Sequence, residues 1–145
     1  MTAIPLATLT TAFLRSTRPL QLFGALLCAV AGGGLLLALG QGEVLAGGLF
    51  AAALAGGLPL AWFALRVNFD AAAFALIAAQ PDEGAGLREF DAALRQLGLR
   101  QGVDARDLAQ RAAATRGLVW RLAAVVCGQL FLVLAATACL YAVMV

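Results

Sequence analysis

The sequence predicts an all-α integral membrane protein with three transmembrane helices and a cytoplasmic helical insert between the second and the third. The 145-residue chain is 63% hydrophobic and only 12% charged, which is about half the charged share of an ordinary soluble domain. Its apolar residues are collected in three runs, each long enough to cross a bilayer, which takes roughly 20 helical residues. Most of its charge lies between the second run and the third.

The N-terminal segment, residues 1–18, is expected on the cytoplasmic side of the membrane or in its interface. Leu6, Leu9 and Phe13 recur at the spacing of one helical face, and the segment ends in two arginines. This pattern favours a short helix lying along the membrane surface. A disordered tail is the alternative interpretation.

The first span is assigned to residues 19–40. Gly32 and Gly33 lie near its middle, in a run of three glycines, where missing side chains let another helix approach closely. Glycine weakens helices in water. In lipid, however, the backbone has no other hydrogen-bond partner, so we expect the helix to persist. A cleaved signal peptide is the alternative, but its apolar core would exceed the usual length of roughly 7–15 residues.

The second span, residues 44–65, follows after a very short loop, so the first two spans are predicted to form an antiparallel hairpin. Gly48, Ala52 and Gly56 recur every four residues on one helical face, a spacing typical of close helix packing in membranes. Pro59 follows in the same span. Because proline removes one backbone hydrogen bond and kinks a helix, this position is interpreted as a static kink or as a hinge.

A cytoplasmic helical region is predicted over residues 66–117. The second span is expected to continue as helix to about Ala79, and Pro81 then begins a turn. Aspartate and glutamate after this proline suit the start of another helix. Four apolar residues of that helix share one face and form a predicted contact stripe for a partner: Leu87, Phe90, Leu94 and Leu97.

The charges of this region predict ion pairs within single helices. Asp91 precedes Arg95 by four residues, and Asp107 precedes Arg111 by four residues. Such pairs lie side by side on a helix surface. Gly98 is placed at the C-terminal cap of the first of these helices.

The third span is assigned to residues 118–145. Gln129 and Thr137 are eight residues apart, which suggests nearly the same helical face, and Tyr141 follows one turn later. These polar side chains are expected to form hydrogen bonds with another helix.

All ten arginines lie on one side of this arrangement, which holds the N-terminus and the segment Arg66–Arg121, and Arg121 lies one turn into the third span. The positive-inside rule therefore predicts a cytoplasmic N-terminus and an outside C-terminus. We expect the plasma membrane, in a bacterium the inner membrane, as the location.

No catalytic constellation is recognisable in the sequence. Histidine is absent, which removes the commonest general base and metal ligand, and we expect no cofactor. The net charge of +2 and the lack of a basic patch argue against nucleic acid as a partner. Arg66, Asn68 and Asp70 are the candidate polar residues at the cytoplasmic end of the second span. An ion pair between Arg66 and Asp70 is the structural interpretation, and a cation site is the functional one.

The favoured hypothesis is a non-catalytic small membrane subunit. It would lie in membrane lipid, pack against a larger membrane protein and contact a partner through its cytoplasmic helices. The alternative is a self-associating channel or small carrier, lined by the polar residues of the third span and the kink at Pro59. A further alternative is a membrane enzyme that acts on a lipid-linked substrate near Asp70.

Overall fold

The computed structural model describes residues 5–96, 98 and 108–144, and the elements in this part of the chain are all helices. They are α1 (Leu6–Arg15), α2 (Arg18–Gln41), α3 (Val44–Ala55), α4 (Gly57–Ala78), α5 (Glu83–Gln96) and α6 (Leu108–Met144). The all-α class predicted from the sequence is therefore confirmed for the described residues.

Three stretches of these helices are long and apolar enough to cross a membrane, as the sequence predicted. Each combines a length of 35 or 36 residues with a strongly apolar window. They are Leu6–Gln41, Val44–Ala78 and Leu108–Val143.

The chain divides into two compact units. The span unit consists of Arg18–Ala64 and Trp120–Val145, and the insert unit consists of Met1–Thr17 and Leu65–Val119. Helices α4 and α6 contribute residues to both units.

Helix α2 and the second span run antiparallel in the span unit. Only Gly42 and Glu43 separate α2 from α3, and Gly42 has the positive φ of 74° that favours glycine. The contacts follow an antiparallel register, in which each step back along α2 is matched by a step of nearly the same length forward along α3 and α4. The matched pairs are Ala38 with Gly47, Gly34 with Phe50, Cys28 with Gly57 and Gly24 with Leu60.

Small residues on α2 let this hairpin close tightly. A Cβ atom added at Gly34 would lie 2.5 Å from the Phe50 ring, and one added at Gly24 would lie 2.7 Å from a Leu60 methyl group. The core around these contacts is built mostly of alanine with a few larger side chains, and it comprises Ala31, Ala38, Ala46, Phe50, Ala53, Val133 and Ala136.

The second span is interrupted rather than continuous. Helix α3 ends at Ala55 and α4 begins at Gly57, with Gly56 as a turn between them. Pro59 accounts for the position of this break, because it has no N–H to donate to the carbonyl of Ala55 four residues earlier. Hydrogen bonds from Gly56 N–H to the Ala52 carbonyl and from Leu60 N–H to the Gly56 carbonyl, at 3.1 and 3.2 Å, carry the chain across.

In the insert unit, α1 packs through a face different from the apolar face read from the sequence. Its buried residues are Ala7, Thr10, Thr11 and Leu14. Leu6, Leu9 and Phe13 point outward, with 37–51% of their surface exposed. The helix therefore presents large apolar side chains on its free surface.

Helix α5 starts and stops where the sequence places its caps. The carboxylate of Asp82 accepts hydrogen bonds from the backbone N–H groups of Gly84 and Ala85, at 3.1 and 3.0 Å. These bonds satisfy N–H groups that have no partner inside the helix. At the other end, Gly98 has a φ of 67° and its N–H donates to the Arg95 carbonyl.

Candidate functional site: a polar cluster at the interrupted second span

Gln129 is the most deeply buried amide described in the span unit. It lies on α6 with 2% of its surface exposed. Its Nε2 atom donates to the Ala53 carbonyl at 3.1 Å and to Cys28 Sγ at 3.2 Å. The side chain also lies directly against Gly56, where an added Cβ atom would be 2.9 Å from Gln129 Cγ. One amide thus connects α2, α3 and α6 at the break in the second span.

The end of α3 explains why an amide is placed here. The last four carbonyls of a helix lack a donor within that helix, and Ala53 is one of these four because α3 ends at Ala55. An unsatisfied carbonyl is costly in an apolar medium. Gln129 supplies the missing donor from a neighbouring helix. Both of its amide hydrogens are used, whereas no donor among the described residues reaches its Oε1 atom.

The predicted polar face of the third span is divided in the structure. Gln129 faces the interior of the span unit, whereas Thr137 and Tyr141 are exposed, Tyr141 by 68%. The Thr137 hydroxyl donates to the carbonyl of Val133, one turn earlier on its own helix, at 2.8 Å. Eight residues turn an α-helix by about 80° beyond two full turns, which is enough to separate an inward position from an outward one.

The predicted packing residues occupy two different environments. A Cβ atom added at Gly32, Gly33 or Gly48 meets nothing within 4 Å, and Ala52 is exposed. Within this chain, Gly56 alone of the five lies against another described helix. The glycine run of the first span makes its close approach at Gly34, whereas the close approaches at Gly24 and Gly57 are not among the predicted packing positions. The constant antiparallel offset set by the two-residue turn was the signal that could have identified them.

Asp70 is held by a hydroxyl on α6. It lies on α4 beyond the predicted span 44–65, and Thr115 Oγ1 lies 3.1 Å from its Oδ2 atom. Burial raises the pKa of the Asp70 carboxyl above its ordinary value, and the Thr115 hydrogen bond and the positive charge of Arg66 act in the opposite direction. Asn68 is exposed beside it. The pairing with Thr115 joins α4 to α6 and was not foreseen from the sequence.

A two-point ion pair joins α5 to α6. The guanidinium nitrogens of Arg111 lie 3.0 and 2.7 Å from the two carboxylate oxygens of Asp91. Both side chains are largely buried, with 14% and 20% of their surfaces exposed. The spacing in the sequence instead predicts an ion pair between Asp91 and Arg95 on the same helix. Arg111 takes this place from the neighbouring helix α6, where its guanidinium meets both oxygens of the carboxylate. Asp107, the other predicted partner of Arg111, lies outside the described residues.

The predicted contact stripe of α5 is partly used inside the insert unit. Leu87, Phe90 and Leu94 are half-buried, and Leu97 lies outside the described residues. The larger exposed apolar surface lies instead on α4 and α1. On α4 it comprises Leu65, Phe69 and Leu76, with 64%, 52% and 63% of their surfaces exposed.

The described residues contain no group of three or more histidine, cysteine, aspartate or glutamate side chains arranged to hold a metal ion. The chemistry available at the polar cluster is therefore that of a neutral amide, a thiol and backbone carbonyls. The chain matches no protein-family model, no curated protein and no solved structure.

Proposed function

We propose that this chain is a small, non-catalytic integral membrane subunit that packs against a larger membrane protein. In this proposal, residues 19–40, 44–65 and 118–145 cross the bilayer, and residues 66–117 form a cytoplasmic helical region that contacts the partner. The N-terminus is cytoplasmic and the C-terminus is outside. The arginine distribution supports this orientation through the positive-inside rule.

The observation that carries the proposal is the exposed apolar surface on α4 beyond the predicted span. Along the helix axis, Phe69 lies about 6 Å and Leu76 about 16 Å past residue 65. The headgroup layer is roughly 5–8 Å thick on each side of the bilayer. With the hydrocarbon core ending near residue 65, as this proposal has it, acyl chains do not reach Leu76, although 63% of its surface is exposed. A protein surface is the remaining apolar environment for this side chain.

The opposite face of the same helix segment supports this argument. Val67, Ala71 and Phe74 are buried within the insert unit, with at most 7% of their surfaces exposed. Helix α4 is thus apolar on two faces, whereas a helix at the surface of a soluble domain has one apolar stripe. Contiguous apolar surface of this kind marks interaction sites in folded proteins.

The two alternative functions have weaker support. A path lined by the polar residues of the third span needs Gln129 to face that path, but its amide is engaged with Ala53 and Cys28. An enzyme site at Asp70 needs a free carboxylate, but Thr115 Oγ1 already lies 3.1 Å from its Oδ2 atom.

Site-specific photocrosslinking in native membranes tests the proposal. A photoreactive residue at Phe69 or Leu76 should form a crosslink to a different membrane protein, identified by mass spectrometry. The same residue at the exposed Glu89 of α5 is the matched control and should not form this crosslink. The identified protein should co-purify with the natural chain in mild detergent and be lost with Phe69→Asp. Crosslinks only between copies of this chain would favour the self-associating alternative, and no crosslink from either α4 position would contradict the proposal.

A further inference from the structure

The open acceptor on Gln129 is a buried polar group that the proposed function does not use. Its Oε1 atom is enclosed and has no donor among the described residues, although the side chain is 98% buried. The orientation of the amide is fixed by the carbonyl of Ala53. Exchanging nitrogen and oxygen would place two acceptors against each other with no proton between them.

A second acceptor lies one peptide bond from the point that Gln129 touches. Pro59 offers no N–H to the Ala55 carbonyl, and Gln129 Cγ packs against the adjacent residue, Gly56. Gln129 Oε1 and the Ala55 carbonyl, which Pro59 deprives of its usual helical donor, therefore belong to the same small region of the span unit. Cβ atoms added at Gly56 and Gly57 would lie 2.9 Å from Gln129 Cγ and from Cys28 Sγ, so the helices are closely packed here and an occupant must be small.

The properties of this region restrict what can bind there. The occupant must donate two hydrogen bonds, must fit inside the packed helices and must satisfy neutral oxygens. A cation in the apolar part of a membrane protein is usually matched by an acidic side chain, and neither of these two acceptors is charged. Water has two donors, is neutral and is the usual partner of otherwise unsatisfied buried polar groups.

We propose that one enclosed water molecule bridges Gln129 Oε1 and the Ala55 carbonyl at the interruption of the second span. The water supplies the one hydrogen bond that Pro59 removes from the Ala55 carbonyl and a second one to Gln129 Oε1, so the break in the helix is a hydrated structural site. This inference stands independently of the proposed partner, because it concerns only contacts inside the span unit.

Radiolytic hydroxyl labelling tests the water directly, because radicals formed from a bound water oxidise the nearest side chains. Cys28 lies 3.2 Å from Gln129 Nε2 and is the reporter, and Cys139 is the internal control. Both cysteines are half-buried. Cys139 lies nearer the end of its predicted span, so bulk water by itself would favour the oxidation of Cys139 over that of Cys28. We expect several-fold more oxidation of Cys28 than of Cys139 in the natural protein. Equal oxidation, or more at Cys139, would overturn the proposal.

Two variants probe the two ends of the bridge. Gln129→Met keeps the length of the side chain and removes the acceptor together with the amide donor to Ala53. Pro59→Ala provides the N–H that proline withholds from the Ala55 carbonyl. Each should lower the oxidation of Cys28 to the level of Cys139. Thr137→Val is the matched control, because its hydroxyl is bonded within α6, and it should leave Cys28 unchanged. Both variants should keep the helicity of the natural protein and its elution volume on size exclusion. If Cys28 oxidation is then unchanged in both of them, the proposal is overturned.

Discussion

The glycine pair at the centre of α2 offers a direct test of the antiparallel packing. Gly33 and Gly34 are neighbours in sequence with different surroundings. A Cβ atom at Gly34 would lie 2.5 Å from two ring atoms of Phe50, and one at Gly33 would meet nothing within 4 Å. Phe50 is only 3% exposed, so its ring cannot move aside without disturbing the α2–α3 contact.

The expected magnitudes follow from two opposing effects. Replacing glycine by alanine in a helix gains about 1 kcal/mol, and this gain is shared by Gly33→Ala and Gly34→Ala. Adding a methyl group to a filled core costs about 1–3 kcal/mol, and only Gly34→Ala incurs this cost. Gly34→Ala should therefore be less stable than Gly33→Ala by about 1–3 kcal/mol.

Equilibrium unfolding in mixed micelles, with increasing sodium dodecyl sulfate and helicity as the signal, measures this difference. Gly33→Ala should unfold at the same or a higher detergent fraction than the natural protein. Gly34→Ala should unfold at a lower fraction than Gly33→Ala. Equal midpoints for the two variants would refute the packing of Phe50 against Gly34.

Three further perturbations have expected outcomes. Arg111→Gln should destabilise the α5–α6 contact by about 1–3 kcal/mol, because it leaves a largely buried carboxylate without its two-point partner. The control Arg95→Gln should have little effect, and thermal unfolding of the two variants measures the difference. Asp70→Asn should increase stability at neutral pH, since a folded-state pKa above the unfolded value means that stability is lost as the pH rises and the carboxyl ionises. This gain should shrink in acid, where Asp70 is protonated in both states, and a gain independent of pH would argue against burial as its cause. In intact cells, an impermeant thiol reagent should label a cysteine placed at Glu43 and not one placed at Gly98; the reverse pattern would invert the proposed orientation.

Local features of the fold could be predicted because they depend on residues close in sequence. The tight turn before Val44, the helical continuation of α4 past Leu65 and the cap at Asp82 each follow from a short stretch of chain. The break at Gly56 follows from the proline three residues later. In each case, the physical cause is backbone geometry or a missing N–H group, which the sequence displays directly.

Contacts between helices could not be predicted in the same way. Spacing places Gly48 and Gly56 on one helical face, but only the packing of α6 decides that Gly56 is close to Gln129. Likewise, the spacing predicts an ion pair between Asp91 and Arg95 on one helix, whereas the two-point partner of Asp91 in the structure is Arg111 on α6. These choices depend on how distant segments meet, and local periodicity carries no information about that.

The connection between α2 and α3 has a practical consequence for work with whole cells. Only Gly42 and Glu43 lie outside helix at this point, and Glu43 N–H is bonded to the Ala38 carbonyl at 2.9 Å. Proteases cut extended, accessible segments of several residues, and antibodies need a comparable length of chain. In the proposed orientation, a protease added outside whole cells should leave this turn uncut, and an epitope tag is better attached at a chain terminus than inserted into this turn.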